Sequence, residues 1–130
     1  TAPDAVVLVD ALATGSLARL CKTIQLANVG LTPGGGVDNA RQEISARTLG
    51  VPVLSIGMPT VVDCRALLHH VLGEDWEPYG EKLHPYEESL IATPRQMELA
   101  TDMGAKIIAF ALNKAFHANP STEEILKYLY

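Results

Sequence analysis

An α/β fold, layered α/β/α around a mostly parallel sheet, is predicted by three features of this 130-residue sequence. The run at 5–9 is continuously apolar, as a strand is when helices cover both faces of its sheet, and 51–56 reads as another buried strand. Strand-like runs alternate with helical stripes along the chain. Loops rich in glycine and proline separate them, the longest over 28–39.

The elements follow in order. The first strand is expected over 5–9 and to end at Asp10; a second short run at 23–26 leads into a loop holding Gly30, Pro33, Gly34, Gly35 and Gly36. A short helix at 45–49 is stopped by Gly50, and Pro52 leaves the start of the next strand unpaired on one side. Thr60 is expected to cap a helix reaching Leu72, with Val61, Val62, Leu68 and Leu72 on its apolar stripe. Residues 74–92, with Pro78, Gly80 and Pro85, break the pattern and read as a variable surface insertion or lid. Thr93 as cap, Pro94 at the first helical position and Gln96 at the third then open a long helix to Phe116. Its stripe is rich in small residues, Gly104 and Ala111 among them, and suits close packing on a sheet. Ser121 and Glu124 have capping-box spacing before a last short helix. So few strands leave one edge uncovered, and another segment is expected to complete the sheet.

The length suits a single domain of 1–130 or the C-terminal half of a larger one. With 10 basic and 15 acidic residues, the formal charge is −5, which disfavours direct binding to nucleic acid or anionic lipid. No apolar run approaches the ~18 residues of a membrane span. Cys21 and Cys64 lack CxxC spacing and read as reduced core thiols of a cytoplasmic protein, with a single disulfide as the alternative. The chain opens on Thr1 close to a strand, without methionine, and reads as a fragment or processed product.

Asp10 is the first candidate for chemistry. A carboxylate directly after five apolar residues is partly desolvated, which raises its pKa and fits it for proton transfer near neutral pH. Position alone favours a structural carboxylate that caps a turn or accepts backbone N–H bonds. The loop through Gly34, Gly35, Gly36 and Asn39 would let backbone amides approach an anion or a substrate carbonyl; a plain surface turn is the competing account. No phosphate-loop or dinucleotide fingerprint accompanies it, and no cofactor is expected. Strand ends put Asp10, this loop and the segment through Pro59 and Thr60 on one expected rim. Asp63 reads as a first-turn acid favoured by the helix dipole. His69 and His70 are expected to face opposite ways, and with no HExxH or paired histidines no metal site is expected.

Taken in order, Pro3-Asp4-Ala5, Asp10-Ala11-Leu12-Ala13, Thr23-Ile24-Gln25 and Pro33-Gly34-Gly35-Gly36-Val37-Asp38-Asn39-Ala40-Arg41 resemble the germination protease family of spore-forming bacteria. Leu49-Gly50-Val51-Pro52-Val53 and Ile56-Gly57-Met58-Pro59-Thr60-Val61-Val62-Asp63 continue the likeness, while the segment from Cys64 to Ser89 is shorter than usual. Asp38 stands where the family commonly has glycine, and Ala27-Asn28-Val29 replaces a more polar stretch. The resemblance implies an endopeptidase that degrades small acid-soluble spore proteins at germination. It further implies an atypical aspartic type, made as a zymogen and assembled as a homo-tetramer in the spore-core cytoplasm. The implied fold is similar to hydrogenase-maturation peptidases.

Asp10 matches one of the two aspartates the family is thought to use, and the other lies upstream of anything in this chain. The implied site residues are therefore Asp10 as catalytic group, with Gly34, Gly35, Gly36, Asn39, Arg41, Pro59 and Thr60 along the substrate rim. The N-terminal portion of the same protein is the expected partner. Two other readings compete: a non-catalytic binding or assembly module of the same fold, and a metal-sensing relative, which the lack of a ligand motif disfavours.

Overall fold

The computed structural model describes residues 3–34, 41–86, 90–117 and 120–129. It is a mixed α/β structure built on β3 (Val53–Asp63), an 11-residue strand at the centre of a four-stranded sheet. β1 (Val6–Thr14) lies parallel to it, with Val6 opposite Val53 and Asp10 opposite Gly57. β2 (Gln25–Ala27) and β4 (Ile91–Ala92) both run antiparallel to β3. Because β1 occupies one side of β3 as far as Val62, these two short strands share its other side.

The sheet is thus mixed where a mostly parallel one was expected. The long β1–β3 ladder is parallel, and short antiparallel strands are added beside it, a common departure in sheets of this class. Helices α1 (Ala46–Leu49), α2 (Cys64–Leu72), α3 (Glu77–Leu83), α4 (Met97–Phe116) and α5 (Thr122–Leu129) complete the described elements.

Two element boundaries differ from expectation, and both bear on the site. β1 continues past Asp10 to Thr14, because the ladder to β3 holds the backbone extended through one polar residue. β3 likewise runs through Thr60 to Asp63, so Thr60 is a buried strand residue and caps no helix. Val61 and Val62 favour an extended backbone, and they pair with Ala13 and Thr14 on one side while Val62 meets Ala92 on the other. The cap of α2 is Asp63, whose Oδ1 accepts the Ala66 N–H at 2.9 Å.

Other boundaries hold or shift by local chemistry. Gly50 ends α1 in the left-handed region at φ 72°, where only glycine is unstrained. The Ser121–Glu124 capping box forms in both directions, Ser121 N–H to Glu124 Oε2 at 2.8 Å and Glu124 N–H to Ser121 Oγ at 3.1 Å. α4 begins at Met97, beyond the expected Thr93 start; a turn precedes it in which Met97 N–H bonds Pro94 O at 3.1 Å. Within the expected insertion, 77–83 folds as α3, flanked by 3-10 turns at Gly73–Trp76 and His84–Tyr86.

The core gathers on β3: Val53, Ile56 and Val62 are buried, as is Pro59, with Ile108 of α4 and Ile125 of α5. β1 has no such cover. Its Val9 is 54% exposed, so the continuous apolar run at 5–9 does not have both faces buried as expected. Cys21 and Cys64 are free and half-buried, where core thiols or a disulfide were the expectations. Among the described residues, no helix is long and apolar enough to cross a membrane.

Candidate active site

The backbone of β1 determines where the Asp10 carboxylate can go. Val6 N–H donates to Pro52 O at 2.9 Å, which aims the even-numbered amides of β1 at β3. By the alternation of a strand, the odd-numbered amides point away from β3. Ala11 is one of these, and its N–H donates to Asp10 Oδ1 at 2.8 Å. The carboxylate therefore bends along the outer edge of β1, the edge that no described strand pairs.

Beside it opens a cleft of about 250 Å3 between β1, β3 and α4. Val9, Asp10, Ala11, Met58, Thr60 and Thr101 are among its lining residues. Register places Ala11 opposite Met58, so both face α4 together with Thr60. Asp10 belongs by alternation to the other face and reaches the cleft at the edge. On that other face Gly57 leaves room for Leu12, whose Cγ would lie 2.5 Å from a Cβ at position 57. Thr60 is 5% exposed, and the Thr101 hydroxyl donates to Met97 O at 2.8 Å within its own helix. The cleft thus offers one carboxylate and two hydroxyls in otherwise apolar surroundings.

The strand ends do not share the expected rim. β2 runs antiparallel, so its C-terminal end, where the glycine loop begins, lies toward the start of β3, and β3 separates it from β1. Gly34 has φ 75°, and Arg41 N–H closes onto Pro33 O at 3.0 Å; neither Gly34 nor Arg41 lines the Asp10 cleft. Gly35, Gly36 and Asn39 lie outside the described residues. Pro59 is fully buried and serves the fold, its carbonyl accepting the Cys21 N–H at 2.7 Å. Of the expected rim residues that are described, Thr60 is the one the structure brings to the same cleft as Asp10.

Met58, Thr101 and Gly104 line the cleft without having been singled out for it. The small-residue stripe of the long helix was the available signal for Gly104. Met58 and Thr101 meet only through register and helix packing. His69 and His70 are both exposed, not divided between inside and outside, and His69 packs edge-on against Trp76 at 5.5 Å. Among the described residues, no three histidine, cysteine, aspartate or glutamate side chains converge as a metal site.

Residues 1–74 match the family model described as germination protease. That is more than half of the chain, and it includes β1, β2, β3 and the glycine loop. The chain belongs to the germination protease family. A curated germination protease of Clostridium acetobutylicum is 35% identical over 153 residues, covering 98% of this chain and 47% of the relative. One from Caldanaerobacter subterraneus is 32% identical with 98% and 48% covered. One from Oceanobacillus iheyensis is 49% identical over 82 residues, 58% of this chain and 22% of the relative. The chain thus spans about half the length of the relatives that match it throughout. The germination protease model ends at residue 74, where the expected variable segment begins.

Proposed function

We propose that this chain supplies half of the active site of a spore-germination endopeptidase that cleaves small acid-soluble spore proteins in the spore-core cytoplasm. The observation that carries the reading is the Asp10 carboxylate on the edge of β1 that no described strand pairs, beside a cleft. Anything that pairs with that edge lies against Asp10. The chain spans about half the length of the relatives, and the portion of the protein upstream is the partner we assign to the edge. It would complete the sheet, turning a small mixed sheet into the larger layered fold expected of the family, and bring a second carboxylate to Asp10.

The chemistry needs two groups. One carboxylate takes a proton from water as the water oxygen attacks the peptide carbonyl carbon. The other, protonated, delivers its proton to the amide nitrogen as the C–N bond breaks. Asp10 is the general base or shares a proton with its partner. Thr60 and Thr101 are placed in the cleft to orient substrate. Activation from a zymogen and assembly into a homo-oligomer belong to the same reading, as does hydrolysis without a cofactor.

The test is Asp10→Asn in the complete gene product. Asparagine keeps the shape and can still accept the Ala11 N–H, but it cannot take the proton. Cleavage of a spore-protein substrate should fall by at least about 100-fold, the usual worth of a positioned acid or base, with unfolding temperature unchanged. Near wild-type turnover by the folded variant would remove Asp10 from the mechanism.

A further inference from the structure

The ladder between β1 and β3 carries an irregularity, and it falls at the Asp10 cleft. From Val6 with Val53 to Leu12 with Pro59 the pairs advance together on both strands; the next pair is Ala13 with Val61. Thr60 is the residue passed over, so β3 bulges there and no β1 residue stands opposite it. Bulges are uncommon between parallel strands, and beside active sites they re-aim a side chain. In an unbroken register Ala13 would stand opposite Thr60, by alternation on the same face as Ala11 and Met58. The bulge removes that neighbour.

Thr60 is 5% exposed, and it lines the cleft that Asp10 also lines. Among the described residues, none is hydrogen-bonded to its hydroxyl. Burying a hydroxyl without a partner weakens a fold, and the β-branched carbon holds this one to few rotamers. It is therefore a fixed donor kept at a cost. Thr101, the other hydroxyl of the cleft, has its proton engaged by Met97 O at 2.8 Å. Lysine, arginine and histidine are absent from the described lining. Of the described side chains around the cleft, Thr60 alone has a donor to spare.

We infer that the Thr60 hydroxyl is the hydrogen-bond donor to the carbonyl oxygen of the scissile peptide bond, a catalytic residue beside Asp10. The inference rests on the peptidase reading of the cleft and gives Thr60 a specific task within it. As the water oxygen bonds to the carbonyl carbon, a water proton passes to Asp10 and the C=O π pair moves onto the carbonyl oxygen. That oxygen gains negative charge near a carboxylate, and the bond from Thr60 strengthens with the charge. The pair on oxygen then returns to re-form C=O, the C–N pair leaves with nitrogen, and nitrogen takes a proton from the second carboxyl. Thr60 keeps its own proton throughout.

Thr60→Val in the complete gene product removes the hydroxyl and keeps the shape. For cleavage of a spore-protein substrate, kcat should fall about 100- to 1,000-fold, the worth of one such donor, with KM within about threefold, because the bond gains its strength in the transition state. Thr60→Ser should stay within about tenfold of the parent, since it loses only rotamer restriction. If the valine variant does not fold, Thr60→Ala against Thr60→Ser gives the same reading, because the two differ by one oxygen. A substrate whose scissile carbonyl oxygen is replaced by sulfur, a weaker acceptor, should be slowed less in Thr60→Val, or in Thr60→Ala, than in the parent. Turnover near the parent's without the hydroxyl, a serine variant as slow as the variant lacking oxygen, or an equal sulfur effect with and without the hydroxyl overturns the inference. Failure of the peptidase reading is separate: it appears as retained turnover by Asp10→Asn.

Discussion

The Asp10 carboxylate accepts the N–H of its own neighbour, Ala11, at 2.8 Å, and that N–H points to the side of β1 opposite β3. A strand-edge donor is thereby satisfied by the same group proposed to carry catalysis. When a further strand pairs with this edge, the Ala11 N–H can bond a carbonyl, and the carboxylate is released to a new partner. The structural and catalytic roles of Asp10 are successive on this account.

Asp10→Asn and Asp10→Ala should therefore separate in stability. The asparagine variant keeps an acceptor for Ala11, and its chemical-denaturation midpoint should match that of the parent. The alanine variant should lose about 0.5–1.5 kcal/mol, the worth of an ordinary hydrogen bond, and nearer the lower end at an exposed edge. Equal losses for both would show that the bond contributes nothing.

Residues 1–130 alone should form mixed oligomers in size-exclusion chromatography with light scattering. A nine-residue strand with one edge that no described strand pairs, and with Val9 half exposed, is a template for association. Co-expression with the upstream portion of the gene product should yield a single defined species with peptidase activity. A stable, active monomer of these residues alone would refute both the missing-partner argument and the two-carboxylate mechanism.

Gly104→Ala sets two effects against each other. Overlap with Met58 costs about 1–3 kcal/mol, while replacing a mid-helix glycine returns up to about 1 kcal/mol. The substitution should destabilise the parent yet stabilise a Met58→Ala background. The sign reversal, read in a double-mutant cycle, isolates the contact. The same sign in both backgrounds would mean that Met58 and Gly104 are not coupled.

The start of α5 should respond to acid. The Ser121 backbone N–H, followed by its hydroxyl, holds the Glu124 carboxyl below its ordinary value. A carboxyl depressed in the folded state contributes stability above its unfolded pKa and loses it as pH falls through the lower folded value. Amide exchange at 123–125 should therefore accelerate as pH drops below the ordinary glutamate range, after correction for intrinsic rates. Glu124→Gln should flatten that dependence, and an unchanged profile in the variant would assign the effect to another group.

The sequence alone determined the features that depend on near neighbours. Gly50 ends a helix because the left-handed region is open to it, and Ser121 with Glu124 starts one because three residues of separation let the two ends bond each other. The apolar runs identified β1 and β3, and the ordered motifs from Asp10 to Asp63 carried the family resemblance. Tertiary structure decided what depends on pairing across long separations. Local reading stopped β1 at Asp10 and began a helix at Thr60, because a polar residue after an apolar run resembles an end and a threonine after a proline resembles a cap. The β1–β3 ladder supplies backbone hydrogen bonds that outweigh both signals and hold each strand extended for several more residues. Register then brought Thr60 and Met58 to the cleft beside Asp10. The antiparallel direction of β2 carried the beginning of the glycine loop to the other end of the sheet. Strand direction and register are settled by partners up to 48 positions away, Thr14 with Val62 for one, and no local pattern in the chain encodes them.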